Sequence, residues 1–218
     1  MKADMVWIAV CVLGGLLTVL LSEFWIKKLE EKRRLKGELS RVVEISVCCL
    51  TVFGAAAAGF LTDGFFSVIC AMLFLVFCLT AAVMDLKYRI IPNETVLAII
   101  GLKLMTGIGA VMGWKQLVEF NIVQSLLGLS VCFAVFILPG FFGKSVGAGD
   151  VKLAAAMGFF LGFEYALLGI IIMGLAVIAY TVFQTKVPML KFLKAAIPMA
   201  PFICAGMYLA LVGVPLIS

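Results

Sequence analysis

Asp85 and Asp150 are the residues of this sequence best placed to do chemistry. Asp150 stands behind two glycines in K-S-V-G-A-G-D-V-K-L, Lys144 to Leu153, where a polar loop meets an apolar segment. Asp85 closes an apolar run and is followed by L-K-Y-R-I-I-P-N, a polar loop whose Pro92 suits the first turn of the next helix. One acid therefore ends a helix and the other begins one, positions where helix dipoles act oppositely on a carboxylate. If the fold brings them together, mutual repulsion splits their titration and leaves one proton shared at neutral pH, as aspartic-protease chemistry needs. One carboxylate then activates water and the other protonates the substrate. Gly147 and Gly149 fit that role, because a residue without Cβ lets a substrate backbone or another helix approach the loop beside the acid.

The rest of the composition narrows the chemistry. The chain has no histidine, so the common zinc and histidine-based catalytic constellations are excluded. Its cysteines, Cys11, Cys48, Cys49, Cys70, Cys78, Cys132 and Cys204, all fall in apolar runs without a C-x-x-C pair, and no metal site is expected. Acid-base work falls to carboxylates, lysines and tyrosines.

The elements that must position the two acids are membrane helices. Of 218 residues 65% are hydrophobic and 13% charged, more apolar surface than a soluble domain of this length can hide. The expected fold is all-α: a polytopic bundle of about eight transmembrane helices in a lipid bilayer, with the N-terminus outside. The first run, Met5 to Ile26, ends without a small-residue cleavage site and reads as a retained helix. A mixed-charge segment, Lys27 to Arg41, follows it. Further spans are expected over Val42 to Thr62, Phe65 to Met84, a fourth ending near Met112, and Asn121 to Phe142. As one helix, Val151 to Gln184 would be roughly 50 Å long, well over the membrane core, so it is split near Gly162 to Glu164 into a short sixth helix and a full seventh. The last span runs from about Ala195 to Val214.

Charge asymmetry supports the split. With the N-terminus outside, the inner loops hold Lys27, Lys28, Lys32, Arg33, Arg34, Lys36, Arg41, Lys87, Arg89, Lys144, Lys152, Lys186, Lys191 and Lys194, against Lys2 and Lys115 outside. An unsplit segment would move Lys186, Lys191 and Lys194 to the opposite side. Asp85 and Asp150 then share the cytoplasmic face, which is what lifts them above ordinary cap and interfacial residues.

Three strings now stand together: D-L-K-Y-R-I-I-P-N at Asp85 to Asn93, G-A-G-D-V-K-L at Gly147 to Leu153, and I-P-M-A-P-F at Ile197 to Phe202. In this order they resemble the signature of the type IV prepilin peptidases, membrane aspartic proteases of the GxGD class. V-E-I-S at Val43 to Ser46 resembles the opening of that family's second helix, so the likeness covers roughly Arg41 to the C-terminus. The resemblance implies Asp85 and Asp150 as catalytic aspartates, and Gly147, Gly149, Lys152, Pro92, Asn93, Pro198 and Pro201 as residues lining the substrate site. It implies cleavage, after a glycine, of the short basic leader of a prepilin-like membrane protein at the cytoplasmic side of the cell membrane. No cofactor and no nucleic-acid partner is expected. Residues 1–41 form a first helix and basic loop, and 42–218 the peptidase membrane domain. Bifunctional members carry a domain with paired C-x-x-C motifs between their first two helices. Only Lys27 to Arg41 occupies that place here, so the chain resembles the short form seen in Tad-type pilus systems and archaeal preflagellin peptidases, without N-methyltransferase activity.

Two rivals are weighed. Presenilin-type and signal peptide peptidase-type proteases share G-x-G-D but have a Tyr-Asp pair where this chain has Met84-Asp85, and a P-A-L string where it has Pro198-Met199-Ala200-Pro201. A transporter would also use broken helices and embedded acids, but the two halves show no internal repeat. Four other features remain. Lys103 sits mid-span, where it pairs with Glu44 or snorkels. Lys152 faces the acids or the headgroups. Gly158 and Gly162 read as a helix-packing seam, and Lys27 to Arg41 as a segment contacting anionic lipid.

Overall fold

The computed structural model describes residues 5–35, 37, 49, 51–57, 64–114, 118–141, 147–183 and 198–213. Outside them lie Glu44 and the 43–46 string, Asp63, Ile197, and the basic residues Lys2, Lys36, Arg41, Lys115, Lys144, Lys186, Lys191 and Lys194. The described residues hold no strand and form helices α1 (Met5–Arg33), α2 (residues 51–57), α3 (Phe65–Tyr88), α4 (Asn93–Val111), α5 (Ile122–Phe141), α6 (Ala148–Leu161), α7 (Phe163–Phe183) and α8 (Ala200–Gly213). Of these, α3, α4, α5 and α7 are long and apolar enough to cross a membrane. Their outer faces carry exposed Leu104, Ile108, Leu126, Phe133, Ile171, Leu175 and Ile178. Such a surface is stable against lipid, and the chain is a multi-pass membrane protein.

The long apolar segment does break where its length requires. α6 stops at Leu161, and Gly162 takes φ +83°, ψ 176°, donating its N–H to the Gly158 carbonyl at 2.9 Å. That backbone conformation is open to glycine and strained for any other residue. α7 begins at once, with the Ala166 N–H bonded to the Gly162 carbonyl at 3.0 Å.

The core gathers around α6, whose residues Leu153, Ala154, Met157, Phe160 and Leu161 are buried among α4, α5, α7 and α8. Phe160 stacks on Phe74 of α3 with centroids 4.5 Å apart and planes 13° from parallel. On the α5 side, Gly128 and Gly158 meet backbone to backbone, and a Cβ on Gly158 would also meet Cys132 Sγ at 2.6 Å. The expected seam is therefore real, with Gly128 as its second half. A similar approach of Gly169 and Gly206 joins α7 to α8, and the Tyr208 hydroxyl donates to the Gly54 carbonyl of α2 at 2.9 Å.

Two substitutions read the α6–α7 break. Gly162→Ala forces a side chain into a glycine-only conformation and is expected to cost about 1–3 kcal/mol. Gly174→Ala, within α7 where a Cβ meets nothing within 4 Å, is expected to raise stability by up to ~1 kcal/mol. Thermal unfolding of the detergent-solubilised protein should shift in opposite directions for the two.

Candidate active site

Asp85 lies in the last turn of α3, not at its final residue. Leu86, Lys87 and Tyr88 continue the helix, and Arg89 closes it in the left-handed conformation at φ 53°, donating its N–H to the Asp85 carbonyl at 2.9 Å. The side chain is buried, with the residue 7% exposed. A carboxylate so enclosed needs a donor. It has one in the Ala200 N–H, 3.0 Å from Asp85 Oδ2. Ala200 opens α8, and the surrounding residues explain why its amide is available. Pro201 has no N–H, and those of Phe202 and Ile203 turn back to the Met199 carbonyl at 3.1 Å each. The first-turn donor of α8 is thus directed at the acid that ends α3.

Asp150 is the third residue of α6, half-buried, and its Oδ1 is buried without a hydrogen-bond partner among the described residues. Gly147 caps the helix in an extended conformation, and a Cβ there would lie 2.8 Å from Asp150 Oδ2. Gly149 packs against Ile91, and its Cβ would come 3.2 Å from the Ile91 Cβ. Each glycine has its own task, one making room for the carboxylate and the other for the loop that follows Asp85. Through that Gly149–Ile91 contact the two acid-bearing strings touch, and Asp85 is near enough to act electrostatically on Asp150. The two carboxyl groups, from helices remote in sequence, share one end of the bundle.

The remaining expected site residues surround this pair unequally. Pro92 is buried as the N-cap of α4, its carbonyl accepting from the Thr95 and Val96 N–H groups at 3.2 and 3.4 Å. Asn93 is exposed beside it, and Lys152 is exposed on α6 two residues past Asp150. Pro198 and Pro201 are half-buried on either side of Ala200. Lys103 does not belong to the site and does not snorkel. It is 1% exposed, ten positions into α4 from Asn93, with its ammonium 5.8 Å from the centroid of the Phe120 ring. Ala200 and Ile91 are the site residues that inspection of the sequence misses, although both lie inside the quoted strings.

The Ala200 contact can be isolated. Ala200→Pro removes the N–H while suiting a helix start, and loss of a hydrogen bond to a carboxylate is expected to cost ~1.5–3 kcal/mol. In an Asp85→Ala background, with no acceptor present, the same change should cost little. Unfolding midpoints of the four proteins in the cycle measure the difference.

No curated protein and no solved structure matches the chain. A family model described as the type IV leader peptidase family does match, over residues 72–182, an interval that contains both Asp85 and Asp150 and half of the sequence. With its paired acids at one end of an all-helical membrane bundle, the chain belongs to the type IV leader peptidase family.

Proposed function

We propose that the protein is an aspartic endopeptidase that removes the basic leader of prepilin-like proteins, with Asp85 and Asp150 as its catalytic pair. The observation that carries this reading is the approach of two acids from separate helices, one enclosed and held by a main-chain donor, the other with a buried oxygen that has no partner among the described residues. The mechanism requires the pair to hold one proton between them, as neighbouring carboxylates that repel each other do. The ionised member takes a proton from water as the oxygen attacks the scissile carbonyl. The protonated member first polarises that carbonyl and then delivers its proton to the leaving amine. The peptide C–N bond breaks and no cofactor is needed.

The charge asymmetry of the loops supports a cytoplasmic position for the site, where a short basic leader is reached while the substrate's apolar helix stays in the bilayer. Gly147, Asn93 and Lys152 are the exposed members of the expected set, and they offer the substrate main chain room and polar contacts. Pro92, Gly149, Pro198 and Pro201 shape the walls. Cleavage after a glycine leaves a new α-amine, which this chain does not methylate, since it carries no paired C-x-x-C motifs.

The test is co-expression with a prepilin and mass measurement of the product. The chain should yield a mature pilin cleaved after glycine without an added methyl group. Asp85→Asn and Asp150→Asn should each lower the cleavage rate by about 10³-fold or more, since either alone breaks the shared-proton pair. Full processing by either folded variant would exclude the assignment.

A further inference from the structure

The charged end of α1 is turned towards the protein, onto the loop that follows Asp85. Ile26 and Leu29 pack on Val83 and Met84, directly before the acid. One turn on, Glu30 receives the Lys87 ammonium at 3.2 Å and the Tyr88 hydroxyl at 2.9 Å, both groups being on the last turn of α3. Lys32 and Arg33 then reach across to Glu94, in the first turn of α4, at 2.8 and 2.9 Å. The contacts fall on both sides of the linker Arg89 to Pro92, and Ile91 within it is the residue that meets Gly149 beside Asp150.

We propose that Glu30, Lys32 and Arg33 are positioning residues for cleavage: α1 grips α3 and α4 across their linker and so sets Ile91, and through it the spacing of Asp85 and Asp150. This rests on the two acids being the catalytic pair. α1 lies before the matched residues 72–182, so nothing in the family match assigns it a role. Magnitudes separate positioning from simple support. Partly exposed ion pairs contribute little against the stability of a buried bundle. A displacement of ~1 Å at reacting groups can cost about 100-fold in rate. Disrupting the grip should therefore appear in kcat well before it appears in unfolding.

The Glu30–Lys87 pair gives the test, because the charges can be exchanged. In the full chain, assayed in liposomes with a prepilin, Glu30→Lys and Lys87→Glu should each lower kcat by about tenfold with KM within about twofold, and unfolding midpoints should stay near the parent's. The doubly exchanged protein should recover most of the lost rate. A second readout does not depend on catalysis: in an Ile91→Cys background, labelling by a water-soluble maleimide should speed up in each single variant and slow again in the double. Unchanged kcat and labelling in the single variants, or losses that the double exchange does not restore, would overturn the proposal. Asp85→Asn is assayed alongside. Retained cleavage there would remove the catalytic assignment, while the labelling result would still decide whether α1 sets the loop.

Discussion

A carboxylate enclosed at the end of an apolar helix must be given hydrogen-bond partners or it opposes folding by several kcal/mol, and much of this architecture follows from meeting that demand at Asp85. The Ala200 N–H meets it. For that amide to be free, α8 has to begin beside α3 at this level. Its other first-turn donors are removed or satisfied locally, by Pro201 and by the Met199 carbonyl. The I-P-M-A-P-F string then acts through the main chain more than through any side chain. α8 is held in place further along by the Gly169–Gly206 approach to α7 and by Tyr208 on α2.

Asp150 depends on a different constraint, the length of α6. Fourteen residues span ~21 Å, less than a bilayer core of ~30 Å. A lipid-facing helix of that length would leave polar ends in hydrocarbon, but α6 is surrounded by other helices. The Gly128–Gly158 seam and the Phe74–Phe160 stack fix its depth, and Gly162 releases the chain into α7. A short, enclosed helix can thus present its first turn, with Asp150, to the same end of the bundle as the last turn of α3.

How much of this was legible depended on whether side-chain identity or main-chain geometry carried the information. The all-helical class follows from apolar content, and the break at Gly162 from a segment too long for a membrane. The two acids stand out because charges are rare here and each sits in a distinctive string. Helix ends were less accurate. α3 runs on through Leu-Lys-Tyr because nothing in those residues stops it, and α8 opens at Ala200, later than apolarity alone implies. Ala200 itself was invisible, since a donating amide has no residue signature. Lys103 does not snorkel, being enclosed in the bundle with an aromatic ring from a distant loop beside its ammonium, while Glu44, its other expected partner, lies outside the described residues. The basic residues after Ile26 are plain in the sequence, but their charge alone could not show that Lys32 and Arg33 continue a helix and face Glu94.

That last point bears on how a basic leader of the proposed kind would approach. A cluster of lysines and arginines beside the acids satisfies membrane orientation but repels a positive substrate, and the two requirements conflict unless the local charge is offset. Around the Asp85 linker, Lys32, Arg33, Lys87 and Arg89 contribute four positive charges, and Glu30 and Glu94 return two negative ones at ion-pair distance from the first three. The positive charge next to the site is thereby partly offset, although the loops as a whole remain basic. Of the proposed pair, an ionised carboxylate adds a further negative charge there. A positive leader of that kind would therefore meet a reduced repulsion over the last few ångströms, within a Debye length of ~8–10 Å of the acids.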